Sequence, residues 1–111
     1  MSELQELNEK LARWAGFALD YFTTPPYWVN PHGEPINKPP DFTTDLNAQV
    51  KWLWPKLDCP SITFNIELGK CNCELQTYIK GRYVMYDGWA NDNEPALAAA
   101  RAIEQVIDSG G

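Results

Sequence analysis

Tyr27, Trp28, Phe42 and Trp89 offer flat apolar rings on which a nucleobase can stack, at roughly 1–3 kcal/mol per base. Arg101, Lys38 and the backbone amides of Thr43 and Thr44, at the expected start of a helix, offer donors to a phosphate. Asn91, Asp92 and Asn93 carry groups able to hydrogen-bond a ribose, and His32, in a Pro-His-Gly turn, is the single imidazole. The chemistry this set describes is recognition of a small nucleotide-like ligand. Each member also has a plainer use. A ring buries about 150–250 Å² when it seals a loop, and Thr43 and Thr44 before Asp45 make an ordinary helix cap worth about 1 kcal/mol. Arg101 among alanines can pair with an acid such as Asp41 or Asp45, and His32 can simply be an exposed turn residue.

No nucleophile beside a base and no paired-carboxylate motif is legible, so the expectation is a protein that is not an enzyme and uses no cofactor. Cys59, Cys71 and Cys73 are odd in number, and Cys71-Asn72-Cys73 puts two thiols on one strand face, awkward for a disulfide. Buried free thiols in a reducing compartment are expected, and no metal, because His32 lies far from the cysteines in sequence. Nine basic residues without a run, against fifteen acidic ones and a net charge of −6, argue against a polymeric nucleic acid partner. A chain of 111 residues, 44% hydrophobic and 13% aromatic, is read as one folded domain over 1–111. The start Ser2-Glu3-Leu4-Gln5-Glu6 resembles no export signal, and no apolar run approaches the length that spans a membrane, so a soluble intracellular protein is expected.

The elements that must position these groups follow from periodicity. Leu4, Leu7, Leu11, Trp14 and Ala18 recur at helical spacing behind Ser2 as N-cap, and predict a first helix ending near Gly16 or a turn later. A long loop then holds six of the nine prolines with Tyr21, Phe22, Tyr27 and Trp28. Ordering it costs roughly 1–2 kcal/mol of entropy per residue, so its rings must pack on something. Phe42-Thr43-Thr44 opens a second helix with the stripe Leu46, Val50, Leu53 and Leu57, kinked or ended by Pro55. Alternation over 61–68, 71–79 and 82–87, with turns at Gly69-Lys70 and Lys80-Gly81, predicts an antiparallel meander of three strands. One of its faces carries Asn65, Glu67, Glu74, Gln76 and Tyr78, polar enough to be wet, to line a pocket or to meet another subunit. Asn93-Glu94-Pro95 starts a last helix whose inner face is Leu97, Ala100, Ile103 and Ile107.

The runs Leu11-Ala12-Arg13-Trp14-Ala15-Gly16-Phe17, Trp28-Val29-Asn30-Pro31, Pro40-Asp41-Phe42-Thr43-Thr44-Asp45-Leu46-Asn47-Ala48 and Pro95-Ala96-Leu97-Ala98-Ala99-Ala100-Arg101-Ala102-Ile103 resemble the phage ABA sandwich domain family. The resemblance spans nearly the whole chain. It implies an α+β fold arranged as a three-layer α/β/α sandwich around the small meander sheet, in a phage protein acting in the host cytoplasm, and it implies no catalytic motif. The functional expectation is a counter-defence protein that sequesters a small nucleotide-like immune signal at Tyr27, Trp28, His32, Phe42, Thr43, Thr44, Trp89, Asn91 and Arg101. The alternatives are an inhibitor that meets a host or phage protein through an acidic, aromatic surface, and a structural phage protein without a ligand. Open sheet edges point to a homo-oligomer.

Overall fold

A computed structural model describes residues 2–22 and 24–111. Ser2 opens helix α1 (Glu3–Ala15) with a reciprocal capping box: its Oγ accepts from the Gln5 amide at 3.1 Å, and the Gln5 side chain accepts from the Ser2 amide at 2.9 Å. Gly16 ends the helix at φ 105°, a left-handed conformation that glycine adopts without a Cβ penalty. Leu7, Leu11, Ala12 and Ala15 form the buried stripe, whereas Leu4 and Ala18, expected in it, are exposed.

The proline-rich stretch is not a single loop. It folds into a small antiparallel sheet of β1 (Ala18–Asp20), β2 (Tyr27–Val29) and β3 (Pro35–Ile36), with Leu19 opposite Trp28 and Trp28 opposite Ile36. Strands of two or three residues are too short to show an alternation, which is why the sequence pattern hides them. Pro35 is tolerated because β3 is an edge strand.

Helix α2 (Leu46–Trp52) begins four residues later than Phe42, because Asp45 is its cap: one carboxylate oxygen accepts from the amides of Asn47 at 2.9 Å and Ala48 at 3.2 Å. Its buried residues are Ala48 and Gln49, and Val50, expected on the inner stripe, faces solvent. The helix stops before Pro55, which sits in a one-turn 3-10 helix (Trp54–Lys56).

The main sheet is the meander β4 (Asp58–Glu67), β5 (Lys70–Ile79) and β6 (Arg82–Asn91), antiparallel in the order β4-β5-β6. Its turns are the two-residue loops Leu68-Gly69 and Lys80-Gly81, all four residues with positive φ, so the first lies one residue before the expected Gly69-Lys70. On the inner face Cys71, Cys73, Leu75, Thr77 and Ile79 are buried together with Gly88. Helix α3 (Pro95–Asp108) lies across β5 and β6, with Ala98, Ala99, Ala100 and Ala102 all buried, and α1 packs on α3. Small side chains let the helix approach the sheet closely at Gly88.

The fold is therefore α+β, with three helices and two three-stranded antiparallel sheets. The outer face of the large sheet is open: Tyr83 is 56%, Met85 54% and Trp89 50% exposed. Among the described residues no helix is long and apolar enough to cross a membrane.

Cys71 and Cys73 are free, buried and side by side on the inner face, and burial pushes the Cys73 thiol up to about 12, while Cys59 is free and exposed. The thiolate is the reactive species. Brief alkylation of the native protein with iodoacetamide is expected to add one label, at Cys59, and peptide mapping should find Cys71 and Cys73 labelled only after denaturation.

Candidate functional site

The nine residues singled out as ligand-binding fall into separate places. Trp28, Thr43 and Thr44 line one groove of about 540 Å³ between α1 and the segment before α2, joined there by Lys38, Asn8, Glu9 and Asp41. Trp28 is half-buried in β2, and the Arg13 guanidinium lies over its ring at 5.4 Å. That arginine is itself held by Glu9 at 2.9 Å, a pairing that raises its pKa. Glu9 and Asp41 give the groove an acidic wall, with Lys38 as its only lining cation among the described residues.

The amides expected to hold a phosphate are occupied. Thr43 N–H donates to Asp41 Oδ1 at 3.1 Å, Thr43 Oγ1 donates to the same oxygen at 2.6 Å, and Thr44 N–H donates to the Asp41 carbonyl at 3.2 Å. This is an Asx turn, in which Asp41 satisfies the donors that a ligand would need. Phe42 cannot stack on a base, because it is fully buried with its ring 6.0 Å from that of Phe17 in the core.

Tyr27 lies opposite Asp20 on the small sheet, and the hydrogen bond to that carboxylate raises the phenol pKa. His32 is exposed in a turn built on Asn30, whose Oδ1 accepts from the amides of His32 at 2.9 Å and Glu34 at 3.0 Å, and its ring rests 5.4 Å from Trp52. Asn91 donates to Glu94 at 2.7 Å, shaping the turn into α3. Trp89 stands on the outer face of β6, away from the groove residues.

Arg101 does not face a cavity with the aromatics. Its Nη1 donates to the Trp89 carbonyl at 2.6 Å, and one turn further on Gln105 Nε2 donates to the Asp87 carbonyl, also at 2.6 Å. Both side chains reach from α3 to the free edge of β6. The acidic partners expected for Arg101, Asp41 and Asp45, are bound up in the turn before α2. Among the described residues no group of three or more His, Cys, Asp or Glu side chains is placed to hold a metal.

The open face of the sheet gathers the groups of a different kind of site. Cross-strand register places Tyr78 opposite Tyr83, Gln76 opposite Met85, Glu74 opposite Asp87 and Asn72 opposite Trp89. The Tyr78 and Tyr83 rings meet edge to face at 5.8 Å, and Gln76 reaches the Met85 sulfur at 3.7 Å. Two carboxylates directly opposite each other repel, so the centre of this face favours an approaching cation. Tyr83 and Met85 were absent from the sequence-derived site. The signal for them was the Lys80-Gly81 turn, which sets the register of β6 and with it the face on which each side chain stands.

Comparison of the chain with family models, with curated proteins and with solved structures finds no match.

Proposed function

We propose that this chain is a non-enzymatic binding protein that docks another protein on the open face of its large sheet. The observation that carries this reading is the row of exposed Tyr78, Tyr83, Met85 and Trp89 around the Glu74–Asp87 pair, on a face that no helix covers among the described residues. Aromatic and methionine side chains are the usual anchors of protein interfaces, and an acidic centre selects a partner that brings Arg or Lys. The bound protein would supply the outer layer that an α/β/α sandwich calls for. Following the resemblance to the phage ABA sandwich domain family, we place its action in the cytoplasm of an infected cell, as an inhibitor of a host or phage protein.

Sequestration of a small nucleotide-like ligand is the second reading, and the groove around Trp28, Lys38 and Thr44 favours it. Glu9 and Asp41 in the groove wall, and the engaged amides of Thr43 and Thr44, count against a phosphate there.

The two readings part in one experiment on purified protein incubated with lysate of infected cells. Docking on the sheet predicts a co-purifying polypeptide whose binding falls about thirtyfold on Trp89→Ala or Met85→Ala, the size of an interface hot spot, and is unchanged on Trp28→Ala. Release on heating of a single enriched nucleotide, lost on Trp28→Ala and retained on Trp89→Ala, would replace docking with sequestration.

A further inference from the structure

The two edges of the large sheet are finished differently. On β6, α3 caps the outward carbonyls of Asp87 and Trp89 through Gln105 and Arg101. On β4, among the described residues, no side chain or loop is bonded to the backbone between Ser61 and Glu67.

Hairpin geometry identifies the open groups. Glu67 and Lys70 flank a two-residue turn in which Leu68 and Gly69 have φ 52° and 76°, and such a closing pair exchanges both of its hydrogen bonds. Alternation then directs Asn65 and Thr63 to β5, and leaves Ile62, Phe64 and Ile66 with N–H and C=O pointing outward. Applied to the Lys80-Gly81 turn, the same rule puts the Asp87 and Trp89 carbonyls on the free edge of β6, where α3 in fact holds them.

Native edges are blunted by charge, proline or bulges. β4 has a bulge between Asp58 and Ser61, with Pro60 inside it, and then runs Ser61-Ile62-Thr63-Phe64-Asn65-Ile66 without a charge, glycine or proline. Ile66, on the inner side of the strand, is 69% exposed.

We propose that β4 pairs antiparallel with β4 of a second copy, about a two-fold axis at Phe64, joining the two meanders into one six-stranded sheet. This strand is complementary to itself. Centring on Phe64 makes Phe64–Phe64 and Ile62–Ile66 the hydrogen-bonded pairs, which satisfies every outward group of the three residues. The same register sets the exposed Ile66 against Ile62 of the second copy and Glu67 against Ser61, so no like charges meet. Dimerisation through the outer sheet face would instead oppose the Glu74–Asp87 pair to its own copy. Edge pairing leaves that face free. Strand pairing alone buries less than the roughly 1,200 Å² of a standard interface, so the dissociation constant is expected on the order of micromolar.

Light scattering on the eluting full chain should give twice the mass of the 12.6 kDa chain at high concentration. Ile66→Lys, at an exposed position, should return the mass to that of one chain with an unchanged circular dichroism spectrum, whereas Met85→Lys on the outer face should leave the dimer intact. In a Cys59→Ser background, oxidation of the double variant Thr63→Cys/Asn65→Cys should give a covalent dimer, because those two positions oppose each other across the axis. This cross-link decides the matter even where Ile66→Lys impairs folding. A wild type of single-chain mass at every concentration, a dimer abolished by Met85→Lys and untouched by Ile66→Lys, or self-cross-linking of Thr63→Cys alone would overturn the proposal.

Discussion

Gly88→Ala is expected to destabilise the protein by about 3 kcal/mol or more, a large part of the 5–15 kcal/mol by which a domain of this kind is stable. A Cβ at Gly88 would stand 1.9 Å from the Ala98 carbonyl oxygen and 2.6 Å from the Ala102 amide nitrogen. Both are backbone atoms of α3, so no rotamer change relieves the overlap and the helix must lift off the sheet. Lifting it opens the contacts of the buried Ala98, Ala99, Ala102 and Ile103, and draws Arg101 and Gln105 away from the β6 edge. Gly33→Ala is the matched comparison: at φ 84° with nothing within 4 Å of the added methyl, it carries only the left-handed penalty of about 1–2 kcal/mol. Urea unfolding of the two variants should show a much lower midpoint for Gly88→Ala at a similar slope. Equal losses would mean that α3 is not seated on β6 as described.

Gln49→Leu should lose about 3 kcal/mol even though the two side chains are similar in size. Gln49 is fully buried, and its Nε2 donates to the Phe42 carbonyl at 2.7 Å and the Ala96 carbonyl at 2.8 Å, while its Oε1 accepts from Trp54 Nε1 at 3.3 Å. One side chain thus ties the turn before α2, the first turn of α3 and the 3-10 segment together. Leucine leaves two buried carbonyls without this donor and an indole N–H without its acceptor, and each such loss costs about 1–3 kcal/mol, partly recovered by relaxation. Gln49→Glu separates polarity from size. A carboxylate facing two carbonyl oxygens is disfavoured as the charged form, so its folded-state pKa lies above the unfolded value. The stability of that variant should be greatest below the ordinary carboxyl range and fall as pH rises through the raised pKa, where the wild type shows no such loss. Thermal melts across pH read this directly, and a flat difference between the two proteins would mean that Gln49 does not sit between the two carbonyls.

Both effects act on the helix that finishes the β6 edge, so stability and surface chemistry are linked. The capped edge leaves β4 as the open side of the sheet, and on the outer face Trp89, Met85 and Tyr83 stand exposed, with no helix over them among the described residues.

Residue patterns located much of this. The N-cap at Ser2, the end of α1 at Gly16, the three alternating strands and the Pro95 start of α3 follow from contacts within a few positions and stand close to where spacing put them, except that β6 runs on past the expected Asp87 to Asn91. Gln49 was overlooked although Leu46, Gln49 and Leu53 share one helical face at i, i+3 and i+7; its polarity argued for solvent, and only its distant partners explain its burial. The small sheet between α1 and α2 was missed because its strands, of two or three residues, are shorter than the run of about four or more over which alternation reveals a strand.

For the candidate site the division is sharper. By itself the sequence determined the order of the three helices and the three long strands, the alternation of faces along β4 and β5 and the Lys80-Gly81 turn, since all of these are local, while the small sheet and the β4–β5 turn, one residue from its expected place, needed the structure. Tertiary structure alone decided that Phe42 is core, that Arg101 caps a strand edge, and that Trp28 and Trp89 belong to different surfaces. Those facts depend on how α3 crosses the sheet, and that crossing is fixed by close packing at Gly88 between residues distant in the chain.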